Sequence, residues 1–76
     1  MVEKVLKNMN MKEIEEFNNI CTKCNFEINL KQDRCLVNAK SIMGIFYLDK
    51  NKKIKLVAEI DDEDYINKNF SRFIDK

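Results

Sequence analysis

The stretch that decides the fold reads Phe26-Glu27-Ile28-Asn29-Leu30, then a polar turn Lys31-Gln32-Asp33-Arg34, then Cys35-Leu36-Val37-Asn38-Ala39. Apolar and polar residues alternate on both sides of the turn, and this period of two is typical of half-buried strands. Two such strands joined by a short polar turn predict a β-hairpin. The alternation also indicates a sheet with one buried face and one wet face, as in antiparallel or mixed sheets.

A helix is predicted immediately before the hairpin. Asn10 is a favourable N-cap, and Glu13, three residues later, can accept a bond from the cap's own N–H. The apolar stripe that follows runs to about Cys24, so the predicted helix spans Met11 to Cys24, with Asn18 pointing away from the stripe. The stripe consists of Ile14, Phe17, Ile20, Cys21 and Cys24.

Further elements are predicted on both sides of these two. Ser41 is placed to cap a short helix that ends near Leu48 and buries Ile45 and Phe46. Alternation predicts a strand from Ile54 to Ile60, and a weakly patterned first strand is predicted from Val2 to Lys7. The carboxylates of Asp61, Asp62, Glu63 and Asp64 are suited to the N-terminus of a closing helix rather than to a metal. That helix carries the apolar stripe Ile66, Phe70, Phe73 and Ile74.

The predicted element order is β-α-β-β-α-β-α over a single domain, residues 1–76. The economical arrangement is an α+β fold in which a four-stranded sheet carries all three helices on one face.

Composition excludes several classes of function. The 76 residues contain no histidine and carry a net charge of +1. Without histidine there is no Ser-His or Cys-His nucleophile pair, and the commonest zinc ligand is missing. A net charge near zero argues against direct nucleic-acid binding. The chain lacks an apolar stretch of the roughly 20 residues that span a bilayer, and its start lacks a signal-peptide apolar block, so a cytoplasmic protein is expected.

The three cysteines are expected to be small apolar fillers. Cys21 and Cys24 form a Cys-x-x-Cys, but a structural zinc site would need a second pair, and only Cys35 remains. Because the motif falls on the buried stripe of the first helix, core packing is predicted, with no metal and no cofactor. The basic run Lys50, Lys52, Lys53 and Lys55 is interpreted as a solvated loop.

The segment Val37-Asn38-Ala39-Lys40-Ser41-Ile42-Met43-Gly44-Ile45 resembles the regulatory-serine region of HPr, the small phosphocarrier of the bacterial sugar phosphotransferase system. The resemblance extends to Ile28-Asn29-Leu30, to Ala58-Glu59 and to Glu63, and it covers almost the whole chain. It implies the HPr fold, an open-faced β-sandwich with a four-stranded antiparallel sheet.

The resemblance also shows what is missing. HPr proteins carry a phosphoryl group on a histidine at the N-cap of the first helix, within a Gly-Ile-His-Ala-Arg-Pro-Ala run. Here Asn10 stands at the histidine, Lys12 at the arginine and Glu13 at the proline. An amide nitrogen, whose lone pair is delocalised, is not a phosphoryl acceptor, and Glu13 would repel a phosphate. The usual histidine phosphocarrier reaction is therefore excluded, and no enzymatic activity is expected. Asn10 is either a plain N-cap or part of a recognition surface that has lost its chemistry.

Ser41 is the sharpest remaining candidate. In Gram-positive members of the family the matching serine is phosphorylated by a dedicated kinase, and the product binds a transcriptional regulator. A phosphate at this cap would meet free backbone N–H groups, with Lys40 beside it. The alternative is that Ser41 is only a helix cap.

Partner docking is the second implied role. The resemblance places Ile42 and Met43 in an exposed docking patch, although ordinary packing remains the alternative. Lys40 is a further candidate docking residue, and so is Lys12, which could bind an anion near the start of the first helix. The expected partners are a serine kinase, a transcriptional regulator or another protein of the phosphotransferase system. The chain would then be a regulatory protein of carbon catabolite control.

Three alternatives stay open. The chain could be a binding module that uses the fold without phosphorylation, or a carrier with another phosphoryl acceptor. It could be a monomer or a weak, domain-swapped dimer, because the first strand is short.

Overall fold

A computed structural model of the chain describes residues 1–75. Its sheet has four strands: β1 (Val2–Leu6), β2 (Ile28–Gln32), β3 (Cys35–Asn38) and β4 (Ile54–Ala58). Three helices are present: α1 (Met11–Thr22), α2 (Ile42–Tyr47) and α3 (Glu63–Phe70), the last followed by a 3-10 turn at Ser71–Phe73. The strands lie in the order β1-β4-β2-β3, and every neighbouring pair is antiparallel.

The strand register separates an apolar face from a polar one. Leu30 lies opposite Leu56 on one side and opposite Val37 on the other. Leu30 and Leu56 are fully buried in the core with the helices, whereas the adjacent cross-strand pair, Lys31 and Lys55, lies on the open face. The predicted α+β fold, a four-stranded antiparallel sheet with three helices on one face, is confirmed.

Three phenylalanine rings join the helices over this sheet. The Phe17 ring lies 5.4 Å from that of Phe70 and 5.3 Å from that of Phe73, centroid to centroid, in tilted and edge-on geometries. Such geometries suit the ring quadrupoles, and all three side chains are completely buried. This cluster packs α1 against α3 and the 3-10 turn.

Several element ends differ from the prediction. Helix α1 ends at Thr22, so Cys24 lies beyond it, although both Cys21 and Cys24 are buried and their predicted core role is confirmed. Cys35, expected to be a filler, is instead exposed at the start of β3, directly after the turn of the hairpin. Strand β2 continues to Gln32, and the turn is correspondingly tight, with Asp33 at a φ of 53°. Aspartate tolerates this left-handed conformation better than most residues.

The prediction that Asn18 points away from the core is wrong. Asn18 is only 9% exposed, and its Nδ2 donates to the carbonyl oxygen of Ala39 at 3.1 Å. The apolar periodicity of α1 gives no sign of this residue, because the partner is a backbone group 21 residues away.

The end of the described chain closes on β1. Ile74 forms a bridge to Leu6, and the N–H of Asp75 donates to the Val5 carbonyl at 2.8 Å. The N–H of Lys7 donates to the Phe73 carbonyl, also at 2.8 Å. One edge of the sheet is thus covered over part of its length.

Candidate functional site

The start of α1 holds Asn10 in a complete capping box. The Glu13 N–H donates to Asn10 Oδ1 at 2.8 Å, and the Asn10 N–H donates to Glu13 Oε1 at 3.0 Å. The box predicted from the Asn-x-x-Glu spacing is therefore present. Both polar ends of the motif are engaged in stabilising the first helical turn.

Glu13 places a negative charge at the start of α1. Lys7 Nζ donates to Glu13 Oε2 at 2.8 Å, and this bond, together with the Asn10 N–H, lowers the pKa of the Glu13 carboxyl. Glu13 is therefore ionised at neutral pH, with a carboxylate held one turn inside the helix start. That negative charge opposes a phosphoryl group at Asn10, which itself offers no nucleophilic atom.

Lys12 is exposed at the same helix start. Its ammonium makes no ion pair with any residue of 1–75. The predicted anion-binding or docking role of Lys12 stays a prediction, and the geometry leaves its ammonium accessible.

Ser41 caps α2, as its position in the sequence predicts. Its Oγ accepts from the Gly44 N–H over a long 3.4 Å, and its own N–H donates to the Asn38 carbonyl at 3.0 Å. The side chain is exposed. The hydroxyl is thus reachable from solvent and only weakly tied to the backbone.

Lys40, next to Ser41, has a partner elsewhere. Its Nζ donates to the carbonyl oxygen of Cys24 at 2.9 Å, so the half-buried ammonium spans from the start of α2 to the end of α1. The bond from Asn18 to Ala39 ties α1 to the same connection between β3 and α2, one residue earlier. Together they fix the backbone that presents Ser41, and they leave the Lys40 ammonium turned toward α1.

The outer side of α2 is apolar and open to solvent. Met43 is 75% exposed and Tyr47, one helical turn later, is 77% exposed. Ile45 is buried, as predicted. Ile42, a candidate for the exposed docking patch, is half-buried against the core. Phe46 is half-buried, with Lys50 Nζ 5.7 Å above its ring centroid. Sequence reasoning missed Tyr47, although its place four residues after Met43 puts the two on one helix face.

Two features of the described chain bear on other classes of site. Within residues 1–75 there is no cluster of three or more metal-ligating side chains. In the same range no helix has the length and apolar character that a membrane crossing demands.

Comparison with known proteins gives a clear result among solved structures. The sequence matches no family model and no curated protein. The crystal structure of HPr-C-His from Thermoanaerobacter tengcongensis is similar, with a TM-score of 0.77 and 31% sequence identity. That match covers 97% of this chain and 91% of the other.

The chain belongs to the HPr family. A second structure, the phosphocarrier protein HPr from Bacillus anthracis str. Ames, has the same fold, with a TM-score of 0.73 and 21% identity over 97% of this chain and 96% of that one. This chain is thus an HPr-like member of a phosphocarrier family. Its own 76 residues include no histidine.

Proposed function

We propose that this protein is a regulatory member of the HPr family that docks on partner proteins and does not carry phosphate on histidine. The observation that supports this is the capping box at the start of α1. Asn10 and Glu13 use their polar atoms on each other and on Lys7, so the first helical turn has structural bonds and no phosphoryl acceptor. The protein is then a binding partner and not an enzyme.

Loss of the carrier reaction is tested directly. The protein is incubated with phosphoenolpyruvate and the first enzyme of the phosphotransferase system, beside a histidine-containing HPr as control. Intact mass spectrometry at neutral and alkaline pH, where phosphohistidine survives, is expected to show added phosphate on the control alone. A phosphate on this chain would revive the alternative of a carrier with another acceptor.

Ser41 is the proposed regulatory site. Support comes from the Lys40-Ser41-Ile42-Met43-Gly44 run, together with the solvent exposure of the hydroxyl. A serine kinase would add a phosphate of about −1.5 to −2 charge at neutral pH beside the apolar surface of Met43 and Tyr47. The partner of the phosphorylated form would be a transcriptional regulator of carbon catabolite control.

The kinase step has its own test. Wild type and Ser41→Ala are incubated with the cognate serine kinase and ATP, and the products are read by intact mass. One phosphate on wild type and none on Ser41→Ala is expected. An unmodified wild type, or a variant that still gains the phosphate, contradicts the proposed switch.

A second candidate is docking without phosphorylation, and the position of Lys40 favours it. Its ammonium is bonded to the Cys24 carbonyl and turned toward the end of α1, so a phosphate on Ser41 would have to share the ammonium with that bond or draw it away. Met43 and Tyr47 would then be sufficient for the contact, since both are exposed whatever the state of the serine.

A binding assay separates the two candidates. Phosphorylated and unphosphorylated protein are compared for binding to a regulator or another protein of the phosphotransferase system, with Met43→Asp as the disrupting variant. Leu36→Asp is the control, because Leu36 is an exposed apolar residue on the open sheet face. Phosphate-dependent binding lost only in Met43→Asp supports the switch. Phosphate-independent binding with the same loss supports the plain docking module.

The proposed setting is the cytoplasm, where the family's phosphotransfer partners would be met. The proposed assembly is a monomer or a weak, domain-swapped dimer. Light scattering after size exclusion, at two protein concentrations, distinguishes these states.

A further inference from the structure

The open face of the sheet carries an unusual pair of like charges. Lys31 of β2 lies directly opposite Lys55 of β4 in the strand register. Like charges at this spacing destabilise a sheet, and an Ala or Thr at either position would remove the repulsion. Lys55 is partly compensated by Glu3, whose Oε1 lies 3.5 Å from its Nζ, but Lys31 has no acidic partner within ion-pair distance in residues 1–75.

A third lysine completes a concave surface around this pair. Lys31, Lys53 and Lys55 line a cavity of about 190 Å³ together with Asp33. The Asp33 carboxylate is also 3.6 Å from Lys52 Nζ, so its single charge is shared. Lys53, like Lys31, has no ion pair among the described residues. The cavity therefore carries a net positive charge even after Asp33 and Glu3 are counted.

The loop that delivers Lys53 is held by a buried side chain. Gln32, which is 6% exposed, donates from Nε2 to the Asp49 carbonyl at 2.6 Å. Its Oε1 accepts from the Asp49 N–H at 2.9 Å. The Asn51 N–H donates to Asp49 Oδ1 at 2.9 Å, which closes the turn. Lys53, which follows this turn, is thus attached to a backbone that is held in place. This lowers the entropic cost of gathering the lysines around a ligand.

We propose that Lys31, Lys53 and Lys55 bind a small phosphate-bearing anion on the open face of the sheet. Lysine ammonium groups act as point charges toward phosphate, and a multivalent anion would offset the repulsion of Lys31 and Lys55. The cavity is smaller than the roughly 300–1,000 Å³ of sites for drug-sized ligands, which favours a phosphate, a diphosphate or a short phosphorylated metabolite. The site lies on the sheet face opposite the helices that carry Ser41, so it is separate from the proposed function.

The test is an NMR titration of the ¹⁵N-labelled protein at constant ionic strength. Inorganic phosphate, pyrophosphate and glycerol 3-phosphate are the probes, and sodium chloride is the reference salt. Saturable shifts are expected at the amides of Lys31, Lys53 and Lys55. The double variant Lys31→Gln/Lys53→Gln is expected to weaken binding by about tenfold, because it removes the two ammonium groups of the site that have no acidic partner within residues 1–75. Lys68→Gln on α3 is the matched control and should bind as wild type does.

The probes also identify the source of the phosphate. Tighter binding of glycerol 3-phosphate than of phosphate assigns the site to a small phosphorylated metabolite, and tightest binding of pyrophosphate assigns it to an inorganic polyanion. Either result supports the site.

Three results would overturn it. These are shifts that sodium chloride reproduces, equal affinity in the double variant and wild type, and shifts centred on the starts of α1 or α2. A thermal melt gives an independent reading. Pyrophosphate should raise the melting temperature of wild type and Lys68→Gln more than that of the double variant, because binding to the folded site adds to the general effect of an excluded salt.

Discussion

Replacing Gln32 by alanine tests how the buried amide organises the loop between α2 and β4. In the native protein this side chain gives one donor and one acceptor to the backbone of Asp49. A longer contact of 3.4 Å runs from the same Nε2 to the Lys52 carbonyl. No apolar packing argument accounts for a polar side chain that is 6% exposed at the end of β2, so these bonds should account for most of its contribution.

The size of the effect follows from the bonds lost. Two well-formed hydrogen bonds contribute about 1 kcal/mol each, and leaving the Asp49 groups without a protein partner adds to this, so the free energy of unfolding should fall by about 2–3 kcal/mol. For a domain of this length that corresponds to a fall in melting temperature of roughly 10–20 °C. Both bonds are local to the loop, so the core and the sheet should remain native.

Urea unfolding followed by far-UV circular dichroism measures the change. Gln32→Met, which keeps the volume but neither bond, should lose nearly as much stability as Gln32→Ala. Asn51→Ala is the control, because only its backbone N–H is used in the turn, and it should lie within about 0.5 kcal/mol of wild type. Loss of Asp49 amide protection in hydrogen exchange should accompany the destabilisation. A Gln32→Ala variant as stable as Asn51→Ala would refute the reasoning.

Other changes probe the remaining polar and sulfur groups. Glu13→Gln keeps the capping hydrogen bond but removes the charge whose pKa is lowered in the folded protein. Wild type should be more stable than this variant at neutral pH, and the difference should vanish as the pH falls through the folded pKa, measured by urea unfolding across the acid range. Iodoacetamide should alkylate native protein once, at exposed Cys35, because burial raises the pKa of Cys21 to about 12; more than one adduct by intact mass before unfolding would contradict this. Asn18→Ala should lose about 1–3 kcal/mol by leaving the residue 39 carbonyl unpaired, and exposed Asn19→Ala, the control, should lose far less.

Local patterns were sufficient for the element order and for the N-caps of α1 and α2. Alternation around Ile28 and Leu56 predicted strands, and the spacing of Asn10 and Glu13 predicted the capping box, since both depend on residues close in sequence. The predicted ends of the elements were less accurate than the predicted order. The third turn of α1 stops at Thr22 even though the apolar stripe continues to Cys24.

Residues whose partners lie far along the chain escaped prediction. Asn18 and Gln32 are polar side chains satisfied by backbone groups 21 and 17 residues away, and hydropathy alone assigns such residues to the surface. The exposure of Tyr47 depends on which face of a six-residue helix meets the core, which that short a stripe does not fix. Of the candidate site, the cap geometry was predictable and the engagement of Lys40 by the end of α1 was not.

The position of β1 has a consequence for synthesis on the ribosome. Its partners are β4, with Leu6 beside Ile54, and the segment at residues 73–75. Strand β1 is therefore synthesised before any segment with which it pairs. The hairpin of β2 and β3 can pair while the nascent chain is still short, and the first strand cannot. Contacts of such long sequence separation slow folding and leave Val2 and Leu6 uncovered during elongation. A growing chain of this protein therefore leaves the apolar side chains of β1 exposed to chaperones until β4 and residues 73–75 have emerged.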